Sequence, residues 1–148
     1  MSTAPNLREI EEFFHQQIPL TRAMELHVES YDERGLVLTA PLASNHNHLG
    51  TAFGGSLAAM AMVAGYGLVW LLLGGREGHV VVRDATISFR RPVRGVLRAV
   101  CRRPAESALA EFLATFAGSH NAHLRLEVAI EQDDRVAVHF EGTFVAIK

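Results

Sequence analysis

From Gly50 to Gly75 the chain reads GTAFGGSLAAMAMVAGYGLVWLLLGG, without one charged residue. A helix that is apolar all round has two fates: it crosses a bilayer, or its own protein encloses it. Ser56 to Leu73 just reaches the ~17–25 residues that a span needs. Gly65 and Gly67 do not decide, because glycine is tolerated in membrane helices. The flanks decide. Arg76 is followed at once by Glu77, and the other end offers only His46 and His48, so there is no positive-inside asymmetry. The rest of the chain is rich in strand patterns, and a sheet left without this helix would have no cover for its apolar face. We expect a central helix at about 54–73, wrapped by a curved sheet, and no membrane span.

The flanking segments support that picture. Leu7, Ile10, Phe13 and Phe14 recur at helical spacing within 6–17, with Pro5 near the start and Pro19 as the stop. MELHVES alternates Met24, Leu26 and Val28 against Glu25, His27 and Glu29, which reads as a half-buried strand. GLVLTAP is its hairpin partner. After the apolar block come HVVVRDATISF, GVLRAVCRR, NAHLRLEVAIE and RVAVHFEGTFVAI, all strand-like, with a QDD turn before the last. Between the middle pair, PAESALAEFLATFAG reads as a small inserted helix, opened by Pro104 and closed by Gly118, with Ala105, Ala108, Leu109, Phe112, Leu113 and Phe116 on one face. The class is α+β, in one domain over 1–148 whose first 19 residues form an N-terminal helical segment.

Bulk properties exclude several functions. A net charge of -2 gives no footprint for nucleic acid. Cys101 is the lone cysteine, so no intrachain disulfide forms, and the N-terminus lacks the apolar region of a signal peptide. Both fit a cytoplasmic setting. His46 and His48, or His120 and His123, suggest metal only superficially, since neither pair has a Cys or carboxylate at ligand spacing. No metal and no cofactor is expected.

Three segments carry a resemblance. NHLGTAFGGSL resembles the N-x-x-x-T-x-H-G-G segment that enters the central helix of hotdog-fold thioesterases. DATISFRRPVRG resembles their D-x-x-I-x-F-x-R-P-x-x-G strand, and FEGTFVAI their last strands. The inserted helix is similar to that of thioesterase domains of the YiiD C-terminal type. The resemblance implies a hotdog fold and a homodimer, or a tetramer, with sheets joined edge to edge. It also implies an acyl-CoA or acyl-carrier-protein thioester bound at the subunit boundary, with coenzyme A entering as part of the substrate.

The residues supply the matching chemistry. Gly54 and Gly55 open the helix, where unpaired N–H groups and the positive dipole end can hold an oxyanion. Many such enzymes carry a carboxylate eight residues after the first glycine, and here that residue is Met62. Asp84 takes the place of a catalytic Asp in the related medium- and long-chain acyl-CoA thioesterases, although Phe140 stands where they carry glutamine. Asp84, Thr86 and Ser88 share one strand face and can hold a water. Asn47 matches the family asparagine, and it can equally close an Asx turn. The expected catalytic set is therefore Asp84, Asn47, Gly54 and Gly55, with Asp84 activating the water from the partner subunit. Asn45, His48, Phe53, Ser56, Thr86, Ser88, Arg90 and Arg91 are expected to contact substrate, the arginines through coenzyme A phosphates. The Met62 and Phe140 departures keep a non-catalytic acyl-thioester binder open. A hotdog dehydratase or hydratase would need a His–carboxylate pair.

Overall fold

The computed structural model describes residues 6–74, 78–118 and 120–148. Pro5, Arg76 and Glu77 lie outside the described residues. The sequence patterns become α1 (Leu7–Gln17), α2 (Pro19–Ala23), β1 (His27–Asp32), β2 (Gly35–Ala40), α3 (Gly54–Leu72), β3 (His79–Phe89), β4 (Leu97–Arg102), α4 (Glu106–Ala117), β5 (Ala122–Gln132) and β6 (Arg135–Ile147), with a 3-10 turn at Leu42–Ser44. The strands form one antiparallel sheet in the order β1-β2-β4-β5-β6-β3.

Two features differ from expectation. The first helix ends at Gln17, ahead of Pro19, as the sequence implies. Pro19 then opens a second short helix, α2, at whose first position a missing N–H costs nothing, so the helical segment runs on to Ala23. The first strand begins at His27 rather than Met24, because Glu25 turns the chain at φ +56. The alternation itself holds, with Met24, Leu26 and Val28 all buried.

The central helix lies where the apolar run implies, at Gly54–Leu72. It packs on β2, β3, β4, β5 and β6. Its own Leu57, Met60, Ala61, Val63, Ala64, Leu68 and Val69 are buried. The missing charges thus belong to a core helix. Gly65 and Gly67 let the sheet and α1 come close. A Cβ on Gly65 would strike the Phe144 ring of β6, and one on Gly67 would strike Phe14 of α1. Cys101 faces the same core from β4, fully buried, and burial pushes its thiol up to about 12. At that value it is no nucleophile near neutral pH.

β1 and β3 are the two sheet edges, and they differ. Residues of β3 are exposed along most of its length, with Val81 46%, Val82 39% and Phe89 55% accessible. A long apolar edge of this kind presents unpaired backbone groups to another strand.

Candidate active site

The site is built around the first turn of α3. Phe53 is the cap residue, extended at φ -67 and ψ 133, and it supplies no side-chain cap. Its carbonyl accepts the first helical bond, from Leu57 N at 3.0 Å. The N–H groups of Gly54, Gly55 and Ser56 therefore precede any intrahelical acceptor. Among the described residues none of the three donates a hydrogen bond outside the helix. Gly55 is exposed, and Gly54 and Ser56 are half-buried. Free donors thus sit at the positive end of a long helix dipole, open to a ligand.

Two aromatic rings frame these donors. The Phe53 ring folds over Gly55 so closely that any Cβ there would collide with it. The Phe89 ring, at the end of β3, lies 3.6 Å from the Cβ position of Gly54. Both side chains are 55% accessible. Phe53 occupies the position at which the N-x-x-x-T-x-H-G-G pattern carries histidine. Phe89 was missed as a site residue. An aromatic closing a strand just before Arg90 and Arg91 was the available signal.

The loop before α3 is held from within. Asn47 Oδ1 accepts from Leu49 N at 2.9 Å and Thr51 N at 3.2 Å, and Asn47 Nδ2 donates to Thr51 Oγ1 at 2.9 Å. Asn47 is thus engaged in closing its own Asx turn. Asn45 is buried at 2%. Its Nδ2 donates to Met24 O at 2.9 Å and to Pro41 O at 2.8 Å, and its carbonyl accepts from Phe53 N at 2.7 Å. It therefore anchors the loop to the start of the sheet, and its Oδ1 has no partner among the described residues. His48 is exposed on the same loop.

The turn after β3 comes alongside. Ala52 N donates to Val93 O at 2.8 Å, which ties the helix entrance to the segment bearing Arg90, Arg91 and Arg94. Arg91 and Arg94 line an open cleft of about 440 Å³ with Arg135, Asp133 and Gln132. Arg98 is not available to it, being paired with Glu29 at 2.8 Å.

Asp84, Thr86 and Ser88 are placed elsewhere. Residues opposite one another on neighbouring strands share a face. Asp84, Thr86 and Ser88 oppose Thr143, Glu141 and His139 on β6, whereas Val80, Val82, Ala85 and Ile87 oppose Ala146, Phe144, Gly142 and Phe140. The second set is the helix-facing one, since those β6 residues are buried. Asp84, Thr86 and Ser88 therefore lie on the outer face, away from α3. Asp84 also stands five residues from Phe89, about 16 Å along the strand. Its side chain is 64% accessible, with Arg83 as its ion partner at 4.0 Å. The expected quartet is thus divided within one chain. Gly54, Gly55 and Asn47 are together, and Asp84 is apart.

The same outer face carries Glu127, His139 and Glu141, whose ligand atoms lie within 4.8 Å of one another. Arg125 supplies a cation there, 2.5 Å from Glu141, and this hydrogen bond holds the Glu141 carboxyl below its usual range.

A sheet curved around one apolar helix, with open backbone donors at the helix start, defines a thioesterase-like hotdog protein. The chain belongs to the family described as "Putative thioesterase (yiiD_Cterm)", which it matches over residues 7–148. The structure is similar to that of a protein of unknown function from Chlorobaculum tepidum (TM-score 0.88, 35% identity, 95% of this chain and 93% of that one). It is also similar to a "putative thioesterase" from Shewanella oneidensis (TM-score 0.87, 28% identity, 96% and 97%). A thioesterase from Haemophilus influenzae shares the fold alone (TM-score 0.68, 15% identity, 99% and 93%).

Proposed function

We propose that the protein hydrolyses an acyl thioester of coenzyme A or acyl-carrier protein, with the N–H groups of Gly54 and Gly55 as the oxyanion hole. The observation that carries this reading is the uncapped, solvent-open start of α3. Water attacks the thioester carbonyl, the oxygen gains charge, and the two amides stabilise it. The tetrahedral intermediate then collapses to carboxylate and thiol. Donors fixed in place before the reaction do not have to reorganise during it, which is why such holes contribute strongly. Phe53 and Phe89 shield the carbonyl from bulk water and so strengthen those dipoles. Arg90, Arg91 and Arg94 supply the cationic rim that suits the phosphates of coenzyme A.

The exposed edge of β3 supports pairing with β3 of a second copy, giving a dimer with one continuous sheet. Sedimentation velocity reads this directly, and a monomer at micromolar concentration would overturn it.

The water-activating role expected for Asp84 is tested by Asp84→Asn. Within one chain Asp84 is remote from the helix start, so the role requires a second copy joined along β3. On that reading kcat falls by about 10²-fold or more, whereas a change within about twofold removes Asp84 from the mechanism. Hydrolysis itself is tested with purified protein and acyl-CoAs of graded length. Tight binding of intact thioester without turnover would instead identify an acyl-thioester-binding protein.

A further inference from the structure

The outer face of the sheet carries a side-chain cluster that the helix-start site leaves unused. Strand pairing assembles it, since Glu127 stands twelve residues before His139 in the sequence. Glu127 of β5 directly opposes Glu141 of β6, and His139 lies two residues from Glu141 on the same face. One ligand atom from each of the three residues falls within 4.8 Å of the other two. His139 Nε2 and Glu141 Oε1 are 3.9 Å apart, too far for a hydrogen bond. Glu141 divides its oxygens, giving Oε2 to Arg125 at 2.5 Å and leaving Oε1 on the side of His139. Like charges facing one another across a ladder are destabilising. Arg125 answers Glu141, whereas Glu127 has no ion pair among the described residues.

We infer that Glu127, His139 and Glu141 form a binding site for a divalent transition-metal ion of the zinc type. One imidazole with two carboxylates is a nitrogen–oxygen donor set that suits such an ion. Four-coordinate zinc, about 2.0–2.2 Å from each donor, holds neighbouring donors about 3.4 Å apart. The His139–Glu141 distance has only to shorten slightly, and Glu127 is exposed, so side-chain rotation closes the site. The cation neutralises the carboxylate that Arg125 leaves unanswered. Arg125 stays on Glu141 Oε2 and orients the ligand, with Oε1 left for the metal. Three protein ligands leave one coordination position open. Glu127 and His139 also line an open cleft of about 380 Å³ with Val100, Arg102 and Arg125, so the ion is reachable from solvent. The sheet ladder fixes the three residues relative to one another before any ion arrives, which keeps the cost of ordering them low.

This site stands apart from the thioester reading, and its test needs no substrate. Protein stripped with a chelator is titrated with Zn²⁺ by calorimetry and with Co²⁺ by visible absorption, whose bands report coordination. Saturation is expected at one ion per chain, with a melting temperature that rises as the ion is added. His139→Ala is expected to weaken binding at least about 100-fold and Glu127→Gln about tenfold or more, since losing even an outer-shell partner costs about 10–100-fold. His46→Ala and His123→Ala are expected to bind the ion as the parent protein does. Thermal melts of the stripped variants show that each is folded. No binding by the stripped parent protein would overturn the inference. So would undiminished binding in folded His139→Ala and Glu127→Gln. Binding lost with His46 or His123 instead would also overturn it, because surface histidines elsewhere would then be capturing the ion.

Discussion

Gly54→Pro is expected to fold normally and to lose about 10²–10³-fold in kcat. A backbone donor cannot be deleted by changing a side chain, but proline removes the N–H itself. Position 54 accommodates this. It is the first residue of α3, where proline is favoured and its N–H has no helical acceptor. The residue before a proline must be extended, and Phe53 already is, at φ -67 and ψ 133. The nearest ring, Phe89, sits 3.6 Å from the Cβ position, an ordinary contact. Stability should therefore hold, while the transition state loses one oxyanion donor, ~2.7–4 kcal/mol. KM should move much less than kcat, because the donor acts mainly on the charged intermediate. Gly54→Ala keeps the N–H and is the control. Thermal melts and steady-state kinetics on both variants read the result. Full activity in a folded Gly54→Pro protein would remove the Gly54 amide from the mechanism.

Phe144→Ala is expected to cost about 3–5 kcal/mol of stability, a large share of the ~5–15 kcal/mol that a domain of this kind has. Phe144 is 1% accessible and its ring lies on the bare backbone of Gly65. The interlock makes a sharper test. Gly65→Ala alone places a methyl group against the ring, an overpacking of about 1–3 kcal/mol that outweighs the ~1 kcal/mol of improved helix propensity. In the Phe144→Ala background the ring is gone, and the same substitution should become stabilising. Urea midpoints at constant m-value measure all four corners of the cycle. Additive effects would show that ring and glycine do not interlock.

Much of the fold was legible because burial follows simple periods. In β5, Leu124, Leu126, Val128 and Ile130 alternate with exposed or half-buried partners, as their spacing implies. In α3 the absence of charge announced enclosure. The pairing of β3 with β6 was not legible. The two strands meet only after the intervening β4, α4 and β5 are placed. Asp84 shows the cost. Its alternation with Thr86 and Ser88 was readable, but not which face the three would take. The register shifts between Val82 and Asp84, so one extra residue turns that run to the outside. Without the shift Asp84 would share the helix-facing side with Val80 and Val82. Asn47 was legible as an Asx-turn residue, whereas the hold of Asn45 on Met24 and Pro41 joins segments distant in sequence. Phe89 shares a strand face with Ile87, and only its contact with Gly54 marks it as part of the site.

The first turn of α3 has a consequence for kinetics. Peptide amides do not ionise in the range where proteins are studied, and from Gly54 to Leu72 the helix holds only Tyr66 as a titratable side chain, with burial raising it further. In the proposed mechanism the carbonyl-polarising half is therefore silent to acid and alkali across the neutral range. An inflection in log kcat against pH near neutrality would then report a side chain or the substrate's phosphate, and not the Gly54 and Gly55 amides.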